Sequence, residues 1–485
     1  MPDALTLPPQ QALVAGEWVN TTTTLQVEAP ASGEPLTRIA RCQIGDVEAA
    51  VQAARRAFSG QLGEWARWSA RQRSEWLLRF ANIIEAHHEQ LAQLECADTG
   101  KPLTQARGDI GACARYFRFY GGAADKLHGE TIPFETDFAV MTLREPYGVC
   151  AQIIPWNYPS QIFGRCVAAA LAAGNTVVLK PAEDACLSVL RLAQLAVDHG
   201  LPAGALNVVP GLGAEAGAAL AAHPNIDHLS FTGSPETGTH VAQAAAQHHV
   251  PVTLELGGKS PQLVFADADL NAALPAVVRG IIQNAGQTCS AGSRLLVQRE
   301  IAESVVANLS ERFAALRCDA GEADVDCGPL INARQKAKLE ARLAAAEADG
   351  IRVAAKGQLA ASAPSGGHFV VPQLLTDIPA GHEVLQEELF GPVLVVQVFE
   401  DEAEALALAN ATDFGLCAGI WTRDGGRQLR LAKGIRSGQV FINNYGAAGG
   451  VELPFGGVGR SGHGREKGFE GLRSYTQIKT IAIKH

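Results

Sequence analysis

The chain lacks any arrangement of cysteines that would signal a metal or a disulfide framework. Its ten cysteines, at 42, 96, 113, 150, 166, 186, 289, 318, 327 and 417, form no C-x-x-C pair, and there is no H-E-x-x-H helix. No metal site is therefore expected, and most of the thiols should be reduced, buried and small. No apolar run approaches the roughly 18 residues that span a bilayer, and the start, Met1-Pro2-Asp3-Ala4-Leu5, lacks the basic-then-apolar pattern of a secretory leader. A cytoplasmic location and no membrane partner are the expectations. Charge runs are missing as well: 50 acidic and 40 basic residues are interspersed to a net −10, which gives no reason to expect nucleic acid. Internal repeats and low-complexity tracts are also absent.

What is present is length and apolar material. With 485 residues and 47% hydrophobic content, the chain exceeds what one core accommodates, so two or three domains are expected. Residues 45–127 repeat apolar positions at three and four, the pattern of amphipathic packing helices. From Tyr147 onward short apolar strands near 149–154, 176–180, 206–209 and 227–231 alternate with helical stretches near 161–173, 187–199, 213–222 and 236–248. This predicts a parallel sheet covered by helices, with its ligand at the carboxyl ends of the strands. Those ends carry Asn157, Lys180-Pro181-Ala182-Glu183 and Thr232-Gly233-Ser234. A second alternating block, from about 256 to 450, includes strands near 261–264, 294–297, 393–399 and 439–443. The segments 129–144 and 473–483 fit neither block; they read as strands that pair with each other and are buried against another subunit.

The chemistry is concentrated at Glu255-Leu256-Gly257-Gly258-Lys259 and at Gly286-Gln287-Thr288-Cys289. A thiolate adds to a carbonyl carbon, and a nearby carboxylate can activate water against the resulting thioester, so the pair points to acyl chemistry through a covalent intermediate. By contrast, Gly211-Leu212-Gly213 followed by Gly217 is not a G-x-G-x-x-G fingerprint.

Together with Pro155-Trp156-Asn157-Tyr158-Pro159, Lys180-Pro181-Ala182-Glu183, Phe231-Thr232-Gly233-Ser234, Glu388-Leu389-Phe390-Gly391-Pro392-Val393 and Pro454-Phe455-Gly456-Gly457, these motifs resemble the NAD(P)-dependent aldehyde dehydrogenases in order, over nearly the whole chain. The resemblance implies an α/β subunit with a Rossmann-type cofactor domain (1–122 and 145–255), an α/β catalytic domain (256–455) and a small β oligomerisation element (123–144 and 470–485), assembled as a homodimer or homotetramer. It implies Cys289 as nucleophile, Asn157 as oxyanion donor, Glu255 as general base and Glu466 as a proton-relaying glutamate, the last with a structural ion pair as the alternative.

For the cofactor, the resemblance implies that Lys180 and Glu183 hold the adenosine ribose, that Ser234 at a helix start receives the pyrophosphate, and that Glu388 and Phe390 hold the nicotinamide end. Ile153, Pro155, Trp156, Ala182, Gly213, Phe231, Thr232, Gly233, Leu256 and Gly257 complete the groove. A carboxylate at 183 repels a 2′-phosphate, which favours NAD over NADP.

The substrate is expected to be a small-molecule aldehyde, met by Tyr158, Ile162, Arg165, Thr288, Ser290 and Phe455. Arg165 resembles the arginine with which succinate-semialdehyde dehydrogenases grip a carboxylate, although Gln283 and Gly450 stand where those enzymes have an arginine and a serine. An internal salt bridge is the competing role for Arg165. A carboxylate-bearing semialdehyde is thus one expectation and a broad-specificity aliphatic, aromatic or amino-aldehyde dehydrogenase the other. A CoA-acylating enzyme and a non-catalytic NAD-binding or structural protein on the same scaffold are the further alternatives.

Overall fold

Five strands that are apolar almost throughout, each buried on both faces, pair in parallel in the order Leu206–Val208, Thr176–Lys180, Val149–Ile153, His228–Thr232, Val252–Glu255. Burial on both faces is what near-continuous Val, Leu and Ile runs encode. The computed structural model describes residues 7–485, so the residues read for a leader, and the first six of the segment expected to open the cofactor domain, lie outside it. Antiparallel strands close both edges: Ala12–Val14 with Glu17–Val19 on one side and Gly462–His463 on the other. The chain builds outward from 149–153 on one side, then returns to lay 228–232 on the other. A crevice opens where the winding reverses, between the ends of these two strands.

Strand 252–255 runs through Leu256–Ser260 into Pro261–Val264, which belongs to a second sheet. Its order is Arg352–Lys356, Gln373–Thr376, Val393–Phe399, Arg294–Gln298, Pro261–Val264, Cys417–Trp421, Gln439–Ile442, parallel except at the first pair. Three of these strands, 352–356, 373–376 and 417–421, escape the sequence pattern. The last reads Cys-Ala-Gly-Ile-Trp, with few β-branched residues, and becomes a strand because all five positions are buried between partners. Because the two sheets are consecutive, the carboxyl edge of the first faces the amino edge of the second across a cleft.

The amphipathic helices expected before residue 127 are Ile44–Phe58, Ala70–Ala86, His88–Thr99 and Leu103–Ala123, the second opened by a Ser69/Gln72 capping box. The last packs between Ala70–Ala86 and the helix Pro159–Ala173. Trp76 stacks on Phe80 at 4.9 Å and Phe80 meets Phe117 edge to face at 4.8 Å between ring centroids. Truncating Phe117 to alanine there costs about 3–5 kcal/mol. Helix 159–173 starts with Pro159 in its first turn and stops at Gly174, whose φ of 97° provides the left-handed cap. This helix positions Ile162 and Arg165.

Thr476–Lys484 pairs antiparallel with Phe138–Pro146 along its whole length, flanked by Thr131–Ile132. The segments that fitted neither block therefore do pair with each other. Among the described residues, no helix is long and apolar enough to cross a membrane, and no group of His, Cys, Asp and Glu side chains could hold a metal ion.

Candidate active site

The cleft between the sheets is a cavity of about 1520 Å³. This exceeds the few hundred to 1,000 Å³ typical of one small ligand, so a long cofactor and a substrate fit together. The first sheet contributes Ile153 to Asn157, Lys180 to Glu183 and Phe231 to Glu255 from its carboxyl edge; the second contributes Cys289, Phe390, Cys417 and Gln439 from loops and strand starts at its amino edge.

Cys289 is half-exposed, whereas the other nine cysteines are buried. The loop that delivers it is strained: Asn284, Ala285 and Gly286 have φ of 48, 53 and 72°. Left-handed non-glycine residues in succession persist only when surroundings over-determine them. Here Asn284 donates from Nδ2 to the Asn157 carbonyl at 2.8 Å and from its backbone N–H to Gln105 Oε1 at 2.8 Å, while Gln287 Nε2 donates to the Asn284 carbonyl at 3.1 Å. The Gly257-Gly258 pair permits the close approach behind the thiol. A Cβ on Gly258 would fall 2.3 Å from the Cys289 carbonyl oxygen, and one on Gly257 would fall 2.1 Å from Glu388 Oε2. Burial pushes the Cys289 thiol up to about 12, opposed by Arg165, so the resting sulfur is protonated and needs a base.

Glu255 ends its strand with 1% exposure, and neither carboxylate oxygen has a hydrogen-bond partner. Burial first, then the nearby Glu466, raises its carboxyl well above the ordinary range, with Arg165 opposing. A carboxyl raised in this way is a stronger base once ionised than a solvated one. Glu466 stands behind it. Its Oε1 accepts from Ser230 Oγ at 2.6 Å and Cys166 Sγ at 3.3 Å, and its Oε2 forms an ion pair with Arg165. Arg165 also donates to Thr232 Oγ1 at 3.1 Å. Arg165 reaches the cavity wall; Glu466 does not. The guanidinium expected to grip substrate is thus engaged in the buried ion pair that was its competing role.

Asn157 lies opposite. Its Nδ2 donates to the Gln287 carbonyl at 2.9 Å, leaving the second amide hydrogen for an oxygen at the thiol. Its own carbonyl accepts from Lys101 Nζ at 3.0 Å, and that ammonium is also 2.9 Å from Glu95 Oε1 and 2.6 Å from Asp109 Oδ2. Burial works against this cation, but Asp109 and Glu95 more than offset it and hold Lys101 above its ordinary value. Lys101 lies over the Tyr158 ring at 4.6 Å, and the Tyr158 hydroxyl is 2.6 Å from Thr288 Oγ1, next to the nucleophile.

The remaining half of the cavity suits a dinucleotide. Lys180 Nζ donates to Glu183 Oε2 at 2.6 Å, and Gly213 N–H donates to Glu183 Oε1 at 3.2 Å, setting a carboxylate at the mouth for a ribose diol. Burial would raise Glu183, yet Lys180 holds its carboxyl below the ordinary value. Ser234 caps helix Pro235–Ala246, and Ser234 and Thr237 line the groove, so this helix N-terminus would receive a diphosphate. Further in, Trp156 and Phe390 meet edge to face at 5.4 Å, and Glu388 Oε1 accepts from Gly258 N–H at 2.9 Å. The donor set of diol acceptor, helix N-terminus and aromatic slot fits NAD.

Every residue expected to hold cofactor, from Ile153 to Phe390, lines this cavity, as do Tyr158, Ile162, Thr288, Ser290 and Phe455. The sequence reading missed Lys101, Asp109, Cys417 and Lys467. Lys101, in the connection between helices His88–Thr99 and Leu103–Ala123, and Asp109, on the second of them, lie outside any quoted motif; Lys467 directly follows Glu466, which was the one signal available.

Comparison with known proteins agrees with this geometry. The model of the aldehyde dehydrogenase family matches residues 18–481. Retinal dehydrogenase 2 of Homo sapiens is 40% identical over 478 residues, covering 97% of this chain and 91% of that protein. The crystal structure of an aldehyde dehydrogenase from Burkholderia cenocepacia superposes with a TM-score of 0.97 at 60% identity, covering 98% of this chain and 100% of that one. A variant of betaine aldehyde dehydrogenase from Staphylococcus aureus, in complex with NAD+, does so with a TM-score of 0.95 at 36% identity and 98% coverage of both chains. The chain belongs to the aldehyde dehydrogenase family. Within it, relatives named for retinal and for betaine aldehyde are similarly close, so family membership leaves the substrate open.

Proposed function

We propose that the protein oxidises an aldehyde to a carboxylic acid with NAD, through a covalent thioester on Cys289. The observation that carries this reading is the pairing of a half-exposed thiol on a strained loop with a buried, unpartnered Glu255 carboxyl in one cavity. NAD, when bound, would supply the hydride acceptor, with Glu388 and Phe390 the residues that would hold its nicotinamide end. The chain does the rest. In its ionised form Glu255 takes the thiol proton and passes it to solvent; the sulfur adds to the carbonyl carbon; Asn157 Nδ2 and the Cys289 backbone N–H receive the oxygen that becomes negative. After the carbonyl hydrogen leaves with its electron pair, Glu255 draws a proton from water, water oxygen bonds to the acyl carbon, and the carbon–sulfur bond breaks to release acid and restore the thiol.

In this reading 1–122 and 145–255 form the NAD-binding domain, 256–455 the catalytic domain, and 123–144 with 470–485 the element through which a homodimer or homotetramer assembles. The apolar side chains Ile132, Leu143, Ile478 and Ile483, 39–61% exposed on that small sheet, support the assembly. The cytoplasm is the location that suits ten reduced thiols. NAD is favoured over NADP because the Glu183 carboxylate would face a 2′-phosphate.

The test is an assay of NADH and acid formation with and without CoA. Wild type should yield free acid without CoA, and Cys289→Ala should form no NADH while still binding NAD. Steady turnover by Cys289→Ala would overturn the assignment, and a strict CoA requirement would overturn the hydrolytic half.

A further inference from the structure

Phe455 is flanked by two cations that differ in everything but charge. Arg165 Cζ is 5.5 Å and Lys467 Nζ 4.7 Å from the ring centroid. Arg165 is neutralised by Glu466 and hydrogen-bonded to Thr232. The Lys467 ammonium lies over the face of Phe455 with no ion pair or hydrogen bond among the described residues, and Lys467 lines the cavity shared with Cys289. Cys289 packs against the small apolar cluster of Leu416, Cys417, Phe441 and Phe455, so the ammonium and the nucleophile border the same cluster.

The backbone at Lys467 is strained toward this placement. Its φ of 59° and ψ of 168° fall in a region that glycine alone adopts readily. The conformation is held from both sides: Phe455 and Glu466 exchange backbone hydrogen bonds of 2.7 and 2.8 Å, and Gly468 N–H donates to the Val451 carbonyl at 2.8 Å. Strain maintained at a cavity wall marks a side chain whose direction matters. Among the described residues no carboxylate forms an ion pair with Lys467, and the adjacent Glu466 is matched by Arg165. An enclosed ammonium without a counter-ion is unfavourable until an anion arrives.

We propose that Lys467 is the anion-binding group of the substrate pocket and that the natural substrate is a short aliphatic aldehyde carrying a carboxylate, with its carbonyl carbon at Cys289 and its carboxylate on the Lys467 ammonium. This rests on the aldehyde-oxidising reading above and names the substrate class for it. It assigns the anion to Lys467 in place of Arg165, which keeps its ion pair.

The test compares kcat/KM on matched pairs, succinate semialdehyde against butanal and glutarate semialdehyde against pentanal, in wild type, Lys467→Met and Lys467→Arg. Wild type should favour the acidic member by about ten- to hundredfold, the range of one charge-assisted hydrogen bond. Lys467→Met should collapse that ratio chiefly through KM, and Lys467→Arg should restore most of it. Lys467→Gly, which relieves the backbone, serves if the methionine variant misfolds. A ratio unchanged by Lys467→Met, or a wild type without acid preference, would overturn the proposal; the unchanged ratio would instead make Lys467 a counter-charge for Cys289 and Glu255. Binding of succinate followed by thermal shift separates this proposal from the reaction it rests on. Succinate should stabilise wild type and not Lys467→Met, even were no aldehyde turned over, and an equal response of both proteins would refute the anion site.

Discussion

Lys101 and Lys467 each lie over an aromatic ring of the site, Tyr158 at 4.6 Å and Phe455 at 4.7 Å. Their electrostatic settings are inverted. Lys101 has two carboxylates and the Asn157 carbonyl within 3.0 Å, and is held above its ordinary value. Lys467 has no carboxylate partner among the described residues, and burial, with Arg165, pushes it down to about 8. The same contrast separates Glu466, which has Arg165, Ser230 and Cys166, from Glu255, whose oxygens have no partner. Fully satisfied charges fix the geometry of the wall, whereas the unsatisfied ones face the space where reactants come and go.

The largest effect should come from breaking the satisfied member. Lys101→Met strands Glu95 and Asp109 in the interior, a loss of about 3–5 kcal/mol in unfolding free energy. It also releases the Asn157 carbonyl, so kcat should fall more than KM rises. Denaturant unfolding with steady-state kinetics checks both. In a double-mutant cycle, Asp109→Asn should recover part of the stability lost, because only one buried carboxylate then lacks a cation.

Glu255→Gln replaces an unpartnered carboxyl with a neutral amide and should do the reverse, leaving the fold intact while slowing thioester hydrolysis by about 10²–10⁴. Since burial raises the Glu255 carboxyl, the hydrolytic rate of wild type should climb as pH rises through that raised value, and that of the variant should not. Stability carries the same signature. Between the unfolded value of about 4.3 and the raised folded value, the native state holds the extra proton, so wild-type stability falls as pH rises. The glutamine variant should lose that slope in melting temperatures scanned across pH. Identical slopes would show that Glu255 is solvated.

Much of this contrast was legible in the chain, for a physical reason. Gly257 and Gly258 are close-approach positions whose replacement would collide with Glu388 and the Cys289 carbonyl, so the chemistry at Glu255 and Cys289 comes with its own packing signature. The strands of the first sheet were equally readable, because burial on both faces demands continuous apolar runs. The Lys101 cluster was not. Its partners at 95, 109 and 157 come from three separate elements, and nothing local to Thr99-Gly100-Lys101-Pro102 announces that they meet. Lys467 escaped because its direction depends on a φ of 59° that a lysine rarely adopts. Glu466 was legible as a residue but not as a position, since only the fold puts Arg165 between it and the cavity.

A third pair lies between the extremes and should give the smallest effect. Lys180 is buried and Glu183 is about one-third exposed, so one partner is satisfied and the other also faces the groove. Glu183→Gln keeps an oxygen for Lys180 and for the Gly213 N–H but removes the negative charge that a 2′-phosphate would meet. Stability should hardly change, because a pair with an exposed partner contributes only about 0–1 kcal/mol. The ratio of kcat/KM for NAD over NADP should narrow about tenfold, the equivalent of about 1.4 kcal/mol. If the ratio stayed fixed while the melting temperature dropped by many degrees, Glu183 would belong with the wall around Lys101, and the division between charges that hold the fold and charges that meet ligands would have to be redrawn at the cofactor mouth.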